Sequence, residues 1–306
     1  MLPLPATAGH RRMSTEPNAI ESVAVVGAGQ MGAGIAQVAA RAGLQVVLSD
    51  QAESQAAQAV AKLKARLERQ ESEGKVPPGT AADVVGKIRT GGPLFGVADA
   101  DLVIEAAPES LELKSALFRS LSALAKPSAI LASNTSSLSI TRLGRETTRP
   151  QLVVGMHFMN PVPVMKLVEV VRGALTAEAT LKSVVALADR FGKQSIVSQD
   201  RPGFLVNRIL IPLLNEACFA LEEGVGTKED IDAGARLGLG HPLGPLELAD
   251  LIGLDTVLSI AEILHRDFGD PKYRPCAGLR NLVQAGLLGR KTGRGFYVYD
   301  QNGKKS

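Results

Sequence analysis

The chain has 306 residues, of which 45% are apolar, and a formal net charge of +3. This length is enough for one large or two moderate domains with a sizeable core. The small net charge, without a basic stripe interleaved with aromatic residues, argues against a nucleic-acid partner. The sequence lacks an uninterrupted apolar run of about 18 residues, so neither a transmembrane helix nor a membrane partner is expected.

The cysteine content bears on the cellular location of the protein. Two cysteines, Cys218 and Cys276, are too few for a disulfide framework, and no metal-ligand cluster surrounds them. Free thiols are typical of a reducing compartment, which favours a cytoplasmic protein without a metal site.

Residues 1–20 are rich in Pro, Ala and Thr and are expected to form a disordered extension. A transit peptide and a true start at Met13 are the alternatives for that stretch.

From residue 21 to about residue 200, short apolar strands alternate with helices. Such alternation is typical of an α/β protein with a parallel, doubly wound sheet of the Rossmann type. Strands are predicted at 22–27, 44–48, 101–106, 129–132, 167–171 and 195–197. Helices are predicted from the glycines after residue 27 to Gly43, and at 51–74, 111–124 and 181–191.

The pattern changes after Pro202 and Gly203. A long apolar-rich helix is predicted at 204–221, further helices follow, and strand-like sequence returns only at 296–299. The sequence therefore predicts a Rossmann-type domain at 21–200, followed by a smaller all-α C-terminal domain at 201–306.

The segment Gly27-Ala28-Gly29-Gln30-Met31-Gly32 fits the G-x-G-x-x-G fingerprint of dinucleotide-binding folds. It follows a β-branched strand and opens a helix, and Asp50 ends the next strand, which is the context the fingerprint requires. Gly27 would permit the tight turn, Gly29 the approach of the pyrophosphate, and Gly32 close packing of helix on strand. A carboxylate at Asp50 suits the ribose hydroxyls of NAD and opposes the 2′-phosphate of NADP. The fingerprint alone leaves FAD and S-adenosylmethionine open.

His157 and Glu169 are the candidates for acid–base chemistry. His157 lies in Gly155-Met156-His157-Phe158, and Glu169 lies inside the apolar run at 167–171. Histidine suits proton transfer, and a buried carboxylate on its far ring nitrogen would fix the tautomer and stabilise the imidazolium. Prolines at 161 and 163 predict a turn that brings the two segments together. A structural histidine in the core beside an unrelated edge-strand glutamate is the alternative.

Two further polar segments are candidates. Asn134-Thr135-Ser136-Ser137 directly follows a predicted strand, where α/β folds bind their ligands, although a turn with a helix cap gives the same pattern. Asn207 lies near the start of the long helix, where a structural hydrogen bond is the alternative.

Ordered motifs along residues 22–299 identify a family. The sequence resembles the 3-hydroxyacyl-CoA dehydrogenases, and within that family it is similar to the bacterial 3-hydroxybutyryl-CoA dehydrogenases. The matching segments are VVGAGQMGAGIAQ, VVLSD, DLVIEAAPESLELK, SNTSSL, GMHFMNPVPVMKLVEV, DRPGFLVNRIL, GHPLGPLELADLIGLD and GRKTGRGFYVY.

The resemblance implies an NAD-dependent enzyme of fatty acid metabolism and β-oxidation, with an acyl-CoA substrate and a homodimer formed through the C-terminal domain. It implies that His157 is the catalytic base and that Glu169 is its partner. It also implies that Ser136 and Asn207 hold the 3-oxygen of the substrate. Positions near the NAD ribose and nicotinamide are implied for Glu109, Lys114, Ser136, Asn160 and Lys291, besides the fingerprint residues.

The chain departs from the family pattern in two places. Met159 stands where the family commonly has a second aromatic residue, for which a packing change is expected. The helix from Gln58 to Lys75, which meets CoA in the family, matches poorly, so its Lys62, Arg66, Arg69 and Lys75 are either phosphate partners or a solvated face. This mismatch leaves a dehydrogenase of a free hydroxy acid such as L-gulonate as a rival. A non-catalytic NAD-binding protein is the other alternative.

Overall fold

A computed structural model of the protein describes residues 20–306. The expected disordered extension therefore lies outside the described residues, except for Ile20, which is buried. The described residues form two compact units, one of 20–135 with 140–197 and one of 136–139 with 198–306. The division at residue 200 stays a prediction about domains, and the structure adds that residues 136–139 group with the second unit.

The first unit is built around one eight-stranded sheet. Its strands are β1 (Ser22–Val26), β2 (Gln45–Ser49), β3 (Ile88–Gly91), β4 (Leu102–Glu105), β5 (Ile130–Ser133), β6 (Val153–Phe158), β7 (Leu167–Arg172) and β8 (Gln194–Gln199). Their spatial order is β3-β2-β1-β4-β5-β6-β7-β8, and the pairs from β3 to β6 are parallel. The order reverses between β1 and β4, and in open α/β sheets ligands bind at that switch point.

Helices connect the strands and make up most of the second unit. In the first unit they are α1 (Gln30–Arg41), α2 (Glu53–Ser72), α3 (Thr80–Gly86), α4 (Leu111–Leu124), α5 (Ile140–Arg145) and α6 (Glu178–Arg190). In the second they are α7 (Val206–Glu222), α8 (Lys228–Gly238), α9 (Pro245–Ile252), α10 (Leu254–Phe268) and α11 (Ala277–Gln284). The predicted fold class, a Rossmann-type sheet followed by a helical domain, is confirmed.

The sheet departs from the prediction at β7, which runs antiparallel to β6. The reason is the length of the connection, because residues 159–166 can turn the chain back but are too few for the crossover that a parallel strand needs. Residues 88–91 form an unpredicted strand. In the segment 296–299, where a strand was expected, only Val298 and Tyr299 form isolated bridges.

Each unit has its own hydrophobic core. In the first, apolar residues of the central strands pack against α1, α2 and α6, as at Val25, Ile35 and Leu187. In the second, α7, α9 and α10 enclose residues such as Leu214, Leu246 and Val257. Among the helices of residues 20–306, none is long and apolar enough to cross a membrane.

Candidate active site

The fingerprint glycines form the tight turn between β1 and α1. Gly27 has φ +107°, and a Cβ there would lie 2.6 Å from the carbonyl oxygen of Ala106. A Cβ on Gly32 would collide with the carbonyl oxygen of Gly27, so the first turn of α1 packs directly on the end of β1. A Cβ on Gly29 would meet no atom within 4 Å, so the protein's own packing does not demand glycine there. The open space beside Gly29 is the space that a close-lying ligand would fill.

A cavity of about 570 Å³ opens beside this turn. Gly27, Gly29 and Asp50 line it from one side of the switch point, and Ala106 to Pro108 line it from the other. One carboxylate oxygen of Asp50 accepts a hydrogen bond from the N–H of Ala28 at 2.7 Å, which holds the side chain at the rim. Glycine backbone, a helix N-terminus and a fixed carboxylate fit the diphosphate and ribose of NAD.

A second cavity, of about 550 Å³, lies between α1 and α2. Lys62 and Arg66 line it from α2, and Gly29 and Gly34 line it from the first helix and its turn. A guanidinium nitrogen of Arg66 donates to the buried side-chain oxygen of Gln37 at 2.6 Å. Two cations therefore face this cavity, and one of them is held in place.

Arg69 and Lys75, the other two candidate phosphate partners, are arranged differently. Both are largely exposed and pair with Glu73, Lys75 at 2.7 Å and Arg69 at 3.8 Å. Neither lines the cavity between α1 and α2.

His157 and Glu169 meet across the β6–β7 hairpin. They are directly paired in the antiparallel register, and Nδ1 of His157 lies 3.1 Å from Oε2 of Glu169. The glutamate side chain is fully buried, whereas that of the histidine is 10% exposed. A buried carboxylate on Nδ1 keeps the proton on that nitrogen and leaves Nε2 to exchange protons with a reactant.

Lys193 supports the hairpin loop, and sequence reasoning missed it. Its ammonium group is buried and donates to the carbonyl oxygens of Val162 and Met165, each at 2.7 Å. Burial lowers the pKa of Lys193. These bonds fix the connection that sets how β7 lies against β6.

Asn134 fastens the end of β5 to the strand that carries His157. Its backbone N–H donates to the carbonyl oxygen of Glu105, and its side-chain oxygen accepts from the N–H of Phe158 at 2.9 Å. Ser136 and Asn207 both belong to the second unit, where Nδ2 of Asn207 donates to the backbone carbonyl oxygen of Ser136 at 3.1 Å. The structure therefore joins the two residues that the resemblance assigns to the substrate oxygen.

The other residues implied for NAD are distributed over both units. Asn160 accepts a hydrogen bond from Gln30, at the start of α1, at 3.0 Å. Glu109 accepts one from the hydroxyl of Thr135 at 2.6 Å. Lys291, in the second unit, forms an ion pair with Asp255 at 2.6 Å.

Lys114, which the resemblance also places near the NAD ribose and nicotinamide, is buried and paired within the first unit. Only 1% of its side chain is exposed, and its ammonium forms a 2.6 Å ion pair with Glu105. Glu105 also accepts a 2.6 Å hydrogen bond from the hydroxyl of Ser133. The signal for Glu105 was available, because it is an acidic residue within the predicted apolar strand at 101–106, as Glu169 is within the apolar run at 167–171.

Among residues 20–306 no group of three His, Cys, Asp or Glu side chains is arranged to hold a metal ion. The site combines a glycine turn at the switch point, a carboxylate one strand away, and a buried His–Glu pair on β6 and β7. These are the elements of a nicotinamide-dependent dehydrogenase.

Comparisons with known proteins agree with that class. Residues 22–201 match the model of the 3-hydroxyacyl-CoA dehydrogenase NAD binding domain, and residues 203–299 match that of the 3-hydroxyacyl-CoA dehydrogenase C-terminal domain. The chain belongs to the 3-hydroxyacyl-CoA dehydrogenase family. The predicted family and the dependence on NAD are thereby confirmed.

Individual relatives cover almost the whole chain. It is 50% identical over 282 residues to a probable 3-hydroxybutyryl-CoA dehydrogenase of Bacillus subtilis, covering 92% of this chain and 98% of that one. It is 51% identical over 280 residues to the 3-hydroxybutyryl-CoA dehydrogenase of Bradyrhizobium diazoefficiens, covering 92% and 96%. The crystal structure of (S)-3-hydroxybutyryl-CoA dehydrogenase from Ralstonia eutropha is similar with a TM-score of 0.89 and 46% identity, covering 92% of this chain and all of that one.

Proposed function

We propose that this enzyme catalyses the reversible, NAD-dependent oxidation of a short-chain (3S)-3-hydroxyacyl-CoA, such as 3-hydroxybutyryl-CoA, to the 3-oxoacyl-CoA. The observation that carries the proposal is the buried 3.1 Å contact between His157 and Glu169. A protein that only binds NAD needs no proton acceptor. The names of the relatives, 3-hydroxybutyryl-CoA dehydrogenases at about half identity, support this substrate.

In the proposed oxidation, Nε2 of His157 accepts the proton of the substrate's 3-hydroxyl group. NAD, when bound, takes up the hydride that leaves C3 of the substrate. The negative charge of Glu169 stabilises the imidazolium that proton transfer creates, and its contact with Nδ1 keeps the ring in the required tautomer. In the reverse direction His157 returns the same proton to the oxygen. General acid–base catalysis of this kind contributes about 10²- to 10⁴-fold to a rate.

The other candidate residues are proposed to bind the substrate oxygen and the parts of NAD. Ser136 and Asn207 are proposed to hold the 3-oxygen of the substrate, which is a contribution to positioning. Asp50 is proposed to hold the adenosine ribose, and the turn from Gly27 to Gly32 the diphosphate. Glu109, Asn160 and Lys291 are proposed to lie near the ribose and nicotinamide.

The cavity between α1 and α2 is proposed to receive phosphate groups of the CoA moiety. Lys62 and Arg66 supply positive charge there, and the hydrogen bond from Arg66 to Gln37 fixes one of the two cations. A free hydroxy acid carries no group that would need these cations at a distance from the reacting carbon. This argument favours an acyl-CoA over a free acid such as L-gulonate.

We propose that the enzyme is a homodimer in the cytoplasm. Leu205, Ile209 and Leu213 are spaced four residues apart on and just before α7, and all three are exposed, Ile209 to 67%. A row of exposed apolar side chains on one helix face suits an interface between subunits. The location is supported by the two free cysteines, both buried, which fit a reducing compartment.

The proposal is tested by following NADH oxidation with acetoacetyl-CoA and, in parallel, with free acetoacetate. Rapid turnover of the CoA ester and at most slow turnover of the free acid is the expected result. Preference for the free acid would make the enzyme a hydroxy-acid dehydrogenase on the same scaffold. If neither compound reacted while NADH still bound, the protein would be a binder and not an enzyme of this reaction.

A further inference from the structure

A buried polar network joins the carboxyl ends of β4 and β5. Glu105 ends β4, Ser133 ends β5, and the two residues are paired in the sheet. The side chains of Glu105 and Lys114 are 0% and 1% exposed, and Ser133 and Thr135 are buried as well. Groups this deep cannot be solvated by bulk water, so their hydrogen bonds must come from one another.

The two oxygens of Glu105 bind two different segments of the chain. Oε1 accepts from the ammonium of Lys114 and from the N–H of Ala107, each at 2.6 Å. Oε2 accepts from the hydroxyl of Ser133 at 2.6 Å. The oxygen of that hydroxyl in turn accepts from the N–H of Thr135 at 3.2 Å. One carboxylate thus holds the loop after β4 and the loop after β5 at fixed positions.

The ammonium of Lys114 is committed to the same network. Besides Glu105 it donates to the carbonyl oxygen of Ala107 at 2.9 Å, and Oε2 of Glu109 lies 3.6 Å away. An ammonium group has three N–H donors, and these three acceptors surround it. Lys114 therefore helps to fix the positions of Glu105 and of the loop at Ala107.

Both loops border functional elements of the first unit. Residues 106–108 form one wall of the cavity that also contains Gly27 and Asp50. In the loop after β5, Asn134 binds the N–H of Phe158, next to His157. In a doubly wound sheet each half binds one mononucleotide, so the half with Asp50 takes the adenosine part and the half from β4 onward takes the nicotinamide part.

We propose that Glu105 and Lys114 are positioning residues, whose buried pair aligns the nicotinamide-side wall of the cofactor cavity with the strand that carries His157. This inference rests on the proposed function and deepens it. It gives Lys114 a role through the protein in addition to the position near the cofactor that the resemblance to the family implies. A misplacement of about 1 Å in such a site can cost about 10²-fold in rate.

Two variants separate alignment from folding. Ser133→Ala removes the hydroxyl group that connects Glu105 with the N–H of Thr135, and it leaves both members of the ion pair in place. The double variant Glu105→Gln with Lys114→Met removes both charges together, because a single change would strand a buried charge and destabilise the fold. Ser122→Ala is the matched control, since Ser122 is also a buried serine that accepts a backbone N–H, from Thr148 at 3.1 Å.

The readouts are the affinities for NADH and for ADP-ribose by calorimetry, kcat and KM for acetoacetyl-CoA, and the melting temperature. In Ser133→Ala and the double variant we expect NADH to bind about 5- to 10-fold more weakly, and ADP-ribose to lose clearly less affinity than NADH, because residues 106–108 also border the part of the cavity that contains Asp50. We expect kcat to fall about 10- to 100-fold at nearly constant KM. Ser122→Ala should match the wild type in every binding and kinetic value.

Wild-type NADH affinity and kcat in a folded Ser133→Ala protein would overturn the proposal. An equal loss of NADH and ADP-ribose binding would also overturn it, because that pattern indicates general loosening of the unit. If the double variant fails to fold, Ser133→Ala alone decides. If the wild type fails to reduce acetoacetyl-CoA, the proposed function fails, and the ratio of NADH to ADP-ribose affinity still tests the alignment.

Discussion

Nδ1 of His157 and Oε2 of Glu169 lie 3.1 Å apart because the two residues are directly opposed in the antiparallel register of β6 and β7. A slip of one residue would turn Glu169 to the other face of the sheet and separate the pair. The register depends on the loop at 159–166, which Lys193 fixes through two carbonyl oxygens. The chemistry of the site therefore depends on a connection that has no part in the proposed proton transfer.

Removal of the carboxylate at Asp50 should change the choice of cofactor. The side chain borders the cavity and accepts from the N–H of Ala28, so in the proposed role its charge would repel a 2′-phosphate. We expect Asp50→Ala to weaken NADH binding and to shift the NADPH-to-NADH affinity ratio about 10-fold towards NADPH, since a repulsive charge is lost. Fluorescence titration with both cofactors measures the ratio, and an unchanged ratio would contradict the role of Asp50.

Neutralising the cations of the second cavity should raise KM for the CoA ester. We expect Lys62→Gln and Arg66→Gln each to raise KM for acetoacetyl-CoA about 3- to 10-fold, because each removes a charged contact to phosphate. NADH affinity should stay constant. Lys64→Gln is the control on the same helix, since Lys64 is half exposed, pairs with Glu68 and does not line the cavity. An equal effect of all three variants would mean that only the overall charge of α2 matters.

A charge on the exposed face of α7 should dissociate the proposed dimer. Ile209→Glu places a carboxylate in the middle of the row formed with Leu205 and Leu213, and burying that charge would be costly. Sedimentation velocity of the full chain should change from the dimer towards the 32.1 kDa monomer. Leu175→Glu, at a site 63% exposed in the first unit, is the control. A dimer that persists in Ile209→Glu would place the interface elsewhere.

Acid should remove the stabilisation that Asp101 provides. Burial raises the pKa of Asp101, but hydrogen bonds from Lys126, Ser22 and the N–H of Glu21 outweigh it and lower the pKa from 3.8 to about 2. Because the folded pKa lies below the unfolded one, the stabilisation is complete above about pH 5 and is lost as the pH falls towards 2. Allowing for solvent screening of this partly exposed group, it amounts to about 1–2 kcal/mol.

Urea unfolding of the wild type and of Asp101→Asn at pH 7, 5 and 3 measures this contribution. The difference in unfolding free energy should be equal at pH 7 and 5 and smaller at pH 3. Asp189→Asn, which alters an exposed carboxylate on α6, should leave the free energy nearly unchanged throughout. A difference for Asp101→Asn that stays constant down to pH 3 would contradict the assignment.

The parts of the fold that depend on local patterns could be predicted from the sequence. The strand, glycine turn and helix around Gly27 follow from β-branched residues, glycines and helical periodicity that lie side by side in the chain. Two apolar segments joined by a proline turn allowed His157 and Glu169 to meet, and the resemblance to the family favoured that arrangement over an unrelated pair. Strand β3 was missed because Ile88–Gly91 is a short edge segment with only one large apolar residue.

The rest of the site depends on contacts between distant segments. Glu105 reads as one polar residue in an apolar strand, and its partners Lys114 and Ser133 lie 9 and 28 positions further along the chain. The parallel pairing of β4 with β5 places Ser133 beside Glu105, and the connection from β4 into α4 returns Lys114 to it. The same holds for Ser136, whose grouping with Asn207 across 71 positions no local pattern indicates.

The central claim is that the His157–Glu169 pair moves the proton in a reaction of an acyl-CoA. The most direct test is kcat for acetoacetyl-CoA reduction by the wild type, His157→Ala and Glu169→Gln, each with its NADH affinity. We expect kcat to fall about 10²- to 10⁴-fold in both variants while NADH binds as in the wild type, because the pair acts on the substrate proton. Wild-type turnover in a folded His157→Ala protein would contradict the assignment of His157 as the base.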